Sequence, residues 1–298
     1  MAKAVGVVMT EKVVAGLIDD HKVVGELRHF PEKKEMDADE NGALIDMPAD
    51  SLWELICDYV AGLAPKGSGV QAVGVAMPGM IRNGVVEDSP NLPQLKGAKA
   101  AESIRNGLLA RGLDYAVITL NDADAVAAGL AATRGQLDRL VRVWTIGNGI
   151  GFGRFPNTDE PWEGGHTVVT LDPKENYCGC GGRGHLEGIM GHRAMRLRFL
   201  DLEPHEVFEH ARKGDKRCAE FVERWHAGLA AATATQIHLE GPGKFYFTGR
   251  NIDRLDLASL KDHLYRMVKM SPLQGYSLEV LPEESSIAVI GAGAAAVN

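Results

Sequence analysis

Residues 115–132 read YAVITLNDADAVAAGLAA. The first six residues form an apolar, β-branched run that is typical of a strand, and the alanine-rich segment that follows is typical of a helix. A strand that passes directly into a helix indicates an α/β fold. Asn121 and Asp122 stand at this junction. In open α/β sheets such junctions, at the carboxyl ends of strands, face a ligand-binding crevice.

The sequence before this junction alternates short β-branched runs with apolar residues at helical spacing. These patterns predict an antiparallel meander of three strands at 4–9, 12–18 and 23–30, a helix that starts at 48–50 and runs to 63, a strand at 70–76 and a helix at 98–110.

The sequence after the junction begins a second unit near residue 139, again with two strands around a glycine turn. The patterns beyond it predict helices at 191–201, 204–214 and 216–239, a strand at 244–249, a helix at 256–270, a strand at 277–281 and a last helix from about 285. We therefore expect a smaller domain of residues 1–122, completed by a C-terminal helix at 285–298, and a larger domain at 123–284, with a cleft between two similar halves.

Composition excludes several classes of protein. Lys and Arg number 32 against 40 Asp and Glu, for a net charge of −8, and no basic stripe is present, which argues against nucleic-acid binding. Four cysteines are too few for a disulfide framework, so we expect a reducing, cytoplasmic compartment. No apolar run approaches the roughly 20 residues that a membrane span requires.

Residues 176–187 read NYCGCGGRGHLE and concentrate potential metal ligands. Cys178, Cys180 and His185 lie within eight residues, and His166 lies twelve residues before Cys178. A Cys₂His₂ set suits tetrahedral zinc, and four protein ligands leave no open position, which is the mark of a structural site. The alternative is a flexible glycine loop with two free cysteines and no metal.

These motifs resemble the ROK family, which contains repressors, uncharacterised proteins and sugar kinases. The family carries Glu-x-Gly-His followed by Cys-x-Cys-Gly-x-x-Gly-Cys-x-Glu. Residues 163–166 (EGGH) and 178–187 (CGCGGRGHLE) match every fixed position except the third cysteine, which is His185 here. The resemblance implies an actin-like, ribonuclease H-like sugar-kinase fold of two α/β domains.

The resemblance also implies a sugar site. In the family, sugar hydroxyls are held by residues that correspond here to Asn121, Asp122, Glu163, His166 and Glu187. Carboxylates and amides are suitable partners for hydroxyl groups. Each residue has a simpler alternative role: Asn121 as a helix cap, Glu187 as a solvated acid, and His166 as a metal ligand only.

The resemblance places the nucleotide on glycine turns. The predicted contacts are Gly147, Asn148, Gly149, Gly249 and Gly291. The family's other phosphate loop, Asp-x-Gly-Gly-Thr, is replaced by residues 7–12 (VVMTEK), which contain no glycine. Without glycines a backbone cannot approach a phosphate closely.

We therefore predict a ROK-type hexose kinase that uses ATP and Mg²⁺, phosphorylates glucose or a related sugar, and uses Asp122 as general base. The alternative is a catalytically inactive sugar-binding or regulatory protein of the same family, favoured by the altered first loop. A repressor is not expected, because the first strand begins at residue 4 with no helix-turn-helix ahead of it. The resemblance further implies a homodimer.

Overall fold

The computed structural model describes residues 3–31, 44–157 and 162–297. The chain divides into two compact units. The first comprises Met1–Val141, Gly153–Trp162 and Glu284–Asn298, and the second comprises Arg142–Phe152 and Glu163–Glu283. The helix that follows Asn121 thus belongs to the first unit, whereas the sequence led us to place residue 123 onward in the second.

Strands and helices alternate through much of the described chain. The strands are β1 (Lys3–Met9), β2 (Val13–Asp19), β3 (Lys22–Phe30), β4 (Val70–Met77), β5 (Met80–Arg82), β6 (Val85–Asp88), β7 (Ala116–Asn121), β8 (Val141–Ile146), β9 (Ile150–Phe155), β10 (Lys244–Thr248) and β11 (Ser277–Val280). The helices are α1 (Ala49–Leu63), α2 (Ala100–Ala110), α3 (Asp122–Thr133), α4 (Glu187–Met190), α5 (His192–Arg198), α6 (Pro204–Arg212), α7 (Lys216–Glu240), α8 (Leu257–Met267) and α9 (Ser285–Val297).

The first unit is built on a five-stranded sheet in the order β3-β2-β1-β4-β7. The predicted meander is confirmed, because β1 pairs antiparallel with β2 and β2 pairs antiparallel with β3. By contrast, β4 pairs parallel with both β1 and β7. The carboxyl ends of β1, β4 and β7 therefore meet at one edge of the sheet, where Thr10, Pro78 and Asn121 lie.

A short hairpin, β5–β6, was not predicted from the sequence. Arg82 pairs with Val85, so the loop between the strands is only two residues long. Both loop residues are left-handed, with φ of 49° at Asn83 and 79° at Gly84. Asn-Gly is the strongest short signal for such a turn. The hairpin was therefore readable from the sequence.

The last helix, α9, packs on the first unit's sheet at a pair of glycines. Gly6 and Gly74 are register partners on β1 and β4. A Cβ at Gly6 would lie 1.9 Å from the carbonyl oxygen of Val289, and one at Gly74 would lie 1.8 Å from that of Ala292. Only glycine lets the helix backbone approach the strands this closely.

The second unit contains a four-stranded sheet in the order β11-β10-β8-β9. Its strand β10 runs parallel to both β8 and β11, so the carboxyl ends of these strands share one edge. Asp215 is the N-cap of the long helix α7, since its carboxylate accepts a hydrogen bond from the Cys218 N–H. The helix buries Phe221, Trp225 and Leu229. Within the described residues, helices long and apolar enough to cross a membrane are absent.

The close approach of α9 to Gly74 predicts that a larger residue at this position lowers the free energy of unfolding. In Gly74→Ala the added methyl group would overlap the Ala292 carbonyl, so helix and strand must separate. We expect the free energy of unfolding to fall by about 1–3 kcal/mol, the usual cost of overpacking. Thermal and urea unfolding measure it. Gly275→Ala is the control, since a Cβ there meets nothing within 4 Å, and its effect should stay within about 0.5 kcal/mol. Equal effects of the two substitutions would contradict the close contact.

Candidate active site and metal centre

The junction between β7 and α3 is organised by Asn121. Its Oδ1 accepts hydrogen bonds from the N–H groups of Ala123 (2.8 Å) and Asp124 (3.4 Å), and its Nδ2 donates to the carbonyl oxygen of Gly79 (3.0 Å). Asn121 is thus the N-cap of α3, as the alternative interpretation of the sequence had it. It also ties α3 to the Pro78-Gly79 turn that follows β4.

Asp122 is the first residue of α3. Burial raises the pKa of its carboxyl group from 3.8 to about 6, and the negative charge of Glu11 adds to the rise. The backbone N–H of Ala123 opposes both effects by hydrogen bonding to the carboxylate. A carboxylate with a pKa near 6 is a better proton acceptor at neutral pH than an ordinary aspartate.

A cavity of about 440 Å³ in the first unit lies beside this junction. The outer edge strand β7 and the β5–β6 hairpin line it, with Gly79 and Asn121 in its wall. Trp162 and Asn157 also contribute. The first unit therefore offers a concave space whose wall includes Asn121 and Asp124, on either side of Asp122 in the sequence, while Asp122 itself is not among the lining residues.

The turn between β1 and β2 contains no glycine, unlike the phosphate-binding loop of the family. The N–H of Thr10 donates to the carbonyl oxygen of Lys12 at 3.0 Å, which closes a three-residue turn. One backbone N–H of this turn is therefore directed back into the turn.

The second unit carries the glycine turn at Gly147-Asn148-Gly149. The N–H of Gly147 donates to the Gly149 carbonyl oxygen at 3.0 Å, and the Nδ2 of Asn251 donates to the Gly147 carbonyl oxygen at 2.7 Å. No role was predicted for Asn251, although its side chain is buried and fixes this turn. Its only signal was its position three residues after the end of β10.

Gly249 and Gly291, the other predicted nucleotide contacts, lie in different surroundings. Gly249 follows β10, has φ of +119°, and a Cβ there would lie 2.6 Å from the carbonyl oxygen of Ile146. It therefore belongs to the same edge of the second sheet as Gly147. Gly291 is buried inside α9, and a Cβ there would lie 1.8 Å from the carbonyl oxygen of Ala125 in α3. The structure corrects the prediction for Gly291, because its surface is used in helix packing.

Glu187 begins α4 and its carboxylate lies in a cradle of glycines. Its Oε2 accepts a hydrogen bond from the Ile150 N–H at 2.6 Å. A Cβ at Gly149, Gly165 or Gly191 would lie 3.3, 3.6 or 3.0 Å from its carboxylate oxygens, so glycines leave the space around it open. Burial raises the pKa of Glu187 to about 7, against the lowering effect of the Ile150 N–H.

Glu163 precedes the short turn Gly164–His166 in the same unit, and His166 is the last residue of that turn. The N–H of His166 donates to the carbonyl oxygen of Glu163 at 3.1 Å, which fixes the two residues relative to each other. Burial lowers the pKa of His166, so its ring is neutral over a wider pH range.

Four predicted metal ligands converge in the second unit. The Nδ1 atoms of His166 and His185 and the Sγ atoms of Cys178 and Cys180 all lie within 4.8 Å of one another. Adjacent pairs are separated by 3.2–3.5 Å. Ligands about 2.0–2.3 Å from a tetrahedral zinc ion would lie about 3.3–3.8 Å apart, so this donor set fits one ion. The sulfur atoms are 3.4 Å apart, and both cysteines are free thiols.

The imidazole of His185 fits where the family has a smaller thiolate because of its neighbour. A Cβ at Gly182 would lie 2.1 Å from the His185 ring. Glycine at this position therefore makes the room that the larger ligand requires.

Comparison with characterised proteins identifies relatives among sugar kinases. A glucokinase of Pyrobaculum calidifontis is 29% identical over 193 residues, which cover 60% of this chain and 61% of that protein. An N-acetylmannosamine kinase of Haemophilus influenzae is 34% identical over 169 residues, covering 53% and 55%. The matched segments thus span 61% and 55% of these relatives' own lengths.

Comparison with solved structures shows the fold. A ROK family glucokinase from Streptomyces griseus, solved with glucose and AMPPNP, superposes with a TM-score of 0.67 at 22% identity and covers 99% of each chain. The fold is the two-domain, actin-like sugar-kinase fold expected from the sequence. The model of the ROK family matches residues 30–297, and the chain therefore belongs to the ROK family.

Proposed function

We propose that the protein is a ROK-type sugar kinase that transfers the γ-phosphoryl group of ATP to a hexose. The proposal depends on the position and the pKa of Asp122. Its carboxyl group lies just after the carboxyl end of a parallel strand, and the pKa of this group is raised to about 6. The named activities of the relatives support it, and they direct attention to glucose and to N-acetylated hexoses.

In the proposed reaction the hydroxyl oxygen of the sugar attacks the γ-phosphorus of ATP while Asp122 accepts the hydroxyl proton, and ADP leaves. Asn121 sets the position of Asp122, since it caps the same helix. The turn at 147–149 and Gly249 are proposed to hold the phosphates of ATP. Mg²⁺ would neutralise the charge that develops on the phosphates.

The remaining sugar contacts are proposed to come from Glu163, His166 and Glu187. The carboxylate of Glu187 is buried among glycines, so a polyol can approach it without a side chain in the way. The Nδ1 of His166 lies in the Cys₂His₂ cluster, and a metal ion on Nδ1 would leave Nε2–H as a hydrogen-bond donor to a hydroxyl.

We further propose that His166, Cys178, Cys180 and His185 hold a structural Zn²⁺. The donor set is the soft and borderline one that zinc prefers, and four ligands leave no position for a reacting water. Its contribution would be to fix the loop that leads to Glu187. A homodimer stays a prediction.

A second function is favoured by the β1–β2 turn. The turn at Thr10, Glu11 and Lys12 has no glycine, and Glu11 brings a negative charge near Asp122. Such a turn suits a protein that binds sugar without transferring phosphate. Both functions use the same sugar site, but only the kinase would convert ATP to ADP.

The deciding experiment measures both properties. Purified protein is mixed with ATP, Mg²⁺ and a panel of hexoses and N-acetylhexosamines, ADP release is followed, and sugar binding is measured by calorimetry. We expect turnover with at least one sugar and a loss of at least about 100-fold in Asp122→Asn. Binding without turnover would establish the second function, and full activity in Asp122→Asn would refute the role of Asp122.

The pKa of Asp122 predicts the acid limb of the pH profile. A general base must be unprotonated, so kcat/KM should fall as the pH drops below about 6. The charge of Glu11 raises this pKa, so Glu11→Gln should move the limb to lower pH and raise the relative activity at pH 5. Initial rates between pH 4.5 and 8 measure the shift.

The control for this experiment is Glu26→Gln, which removes the same charge from an exposed position on β3 of the same unit. Its acid limb should coincide with that of the unmodified protein. A limb that moves to higher pH in Glu11→Gln would show that Asp122 is not the titrating base.

The contact between Gly182 and His185 makes a prediction for the metal centre. In Gly182→Ala the added methyl group would overlap the imidazole and turn it away from the other ligands, so zinc affinity should fall about 10–100-fold. Competition with a chromophoric chelator measures the affinity.

His185→Cys supplies the matched background. A thiolate has no ring to collide with a methyl group at 182, so adding Gly182→Ala to His185→Cys should change zinc affinity by less than about threefold. An equal loss in both backgrounds would mean that the methyl group acts on the loop and not on the ligand.

A further inference from the structure

The carboxylate of Glu175 is buried and is shared by two arginines. Its side chain is 4% exposed. Arg198 forms a fork with it, with Nη2 2.5 Å from Oε2 and Nη1 3.2 Å from Oε1, while Nη1 of Arg224 lies 2.7 Å from Oε1. The two arginines differ in burial, since Arg198 is 14% exposed and Arg224 is 51% exposed. Arg198 is therefore the principal partner inside the fold.

Arg198 also contacts both ends of the metal-ligand loop, here defined as residues 175–188. Before the first cysteine, its guanidinium lies 4.2 Å from the centre of the Tyr177 ring. At the other end, its Nη2 lies 3.4 Å from the carbonyl oxygen of Gly188, the residue after Glu187. One side chain from α5 thus joins the entry of the metal-ligand loop to its exit.

Glu175 adds a backbone restraint to this junction. Its carbonyl oxygen accepts a hydrogen bond from the Gly184 N–H at 2.7 Å, next to His185. Because the same residue is held at its side chain by Arg198, the position of Gly184 depends on the ion pair. Loss of one member of a buried pair leaves the other charge unpaired, so the pair is costly to break.

We propose that Arg198, through Glu175, is a positioning residue for Glu187 and for the zinc ligands of the metal-ligand loop. This inference rests on the proposed function, in which Glu187 binds the sugar. Glu187 is held by α4, whose second residue offers the carbonyl contacted by Arg198, and its carboxylate meets the Ile150 N–H. A shift of α4 would therefore weaken the contact with a sugar hydroxyl without affecting Asp122, which is in the other unit.

Arg198→Lys is the discriminating variant. Lysine keeps the positive charge beside Glu175, so the buried carboxylate remains neutralised, but it cannot form the planar fork or reach Gly188 at the same time. Arg224→Lys is the matched control, because it makes the same substitution on the same carboxylate without a contact to Tyr177 or Gly188 among the described residues.

We expect Arg198→Lys to raise the KM for sugar about tenfold with kcat changed less than about threefold, and to speed zinc release to a chelator about tenfold, as loss of a supporting partner of metal ligands usually does. Amide hydrogen exchange at Gly184 and Ile150 should accelerate to a similar extent. Arg224→Lys should leave the KM for sugar, the rate of zinc release and the rates of amide exchange within about twofold of those of the unmodified protein. Glu175→Gln, which keeps the side-chain size, is expected to act in the same direction as Arg198→Lys if that variant does not fold.

Zinc release and amide exchange do not require turnover, so they separate this inference from the proposed function. If the unmodified protein phosphorylates no sugar, the kinase proposal fails, while faster zinc release and exchange in Arg198→Lys still support the positioning role. Unchanged zinc release and exchange overturn it. A lower melting temperature with unchanged KM also overturns it, since that result describes a residue that only stabilises the fold.

Discussion

The first unit depends on how closely the backbone of α9 can approach its neighbours. On one side Gly6 and Gly74 admit the helix to the sheet, and on the other Gly129 and Gly291 bring it against α3, with Cβ positions 1.8–1.9 Å from main-chain oxygens. Any side chain at these contacts would separate the layers. Because α3 begins at Asp122, this packing also fixes the carboxylate proposed as general base relative to the ends of β1 and β4.

Two carboxylates with raised pKa values belong to different units and have different surroundings. Asp122 lies at a helix N-terminus beside Glu11, where burial and a like charge raise its pKa to about 6. Glu187 lies among glycines with one backbone N–H on Oε2, and burial raises its pKa to about 7. Both pKa values are raised, so each carboxyl group holds a proton more readily than an exposed carboxylate does. Asp122 is suited to accept a proton, and Glu187 can accept a hydrogen bond from a hydroxyl or, when protonated, donate one.

Much of the fold could be predicted from the sequence because periodicity and turn chemistry are local. The strand-to-helix junction at Asn121 and the N-terminal meander were predicted from runs of at most twelve residues. Features that depend on distant contacts could not be. The assignment of α3 to the first unit depends on α9, from the far end of the chain. The sequence of α9 does not distinguish whether Gly291 allows close approach of a ligand or of another helix, since glycine allows both. The burial of Glu175 and its pairing with Arg198, 23 positions later, carried no sequence signal at all.

The metal-ligand loop shows why several weak restraints are needed where one strong element is absent. Four of the residues between Cys178 and His185 are glycines, which lose more conformational entropy on ordering than any other residue. Neither helix nor strand occupies 175–186, so ordering must come from elsewhere. Three contacts each restrain a different part of the loop. They are the antiparallel β-bridge between Val168 and His185, the ion pair of Glu175 with Arg198, and the converging ligand atoms. Glu187 directly follows residues 175–186, so its position is only as well restrained as the weakest of the three contacts allows. A metal ion would tighten the glycine-rich centre of the loop, whereas Arg198 tightens its two ends, and the carboxylate needs both.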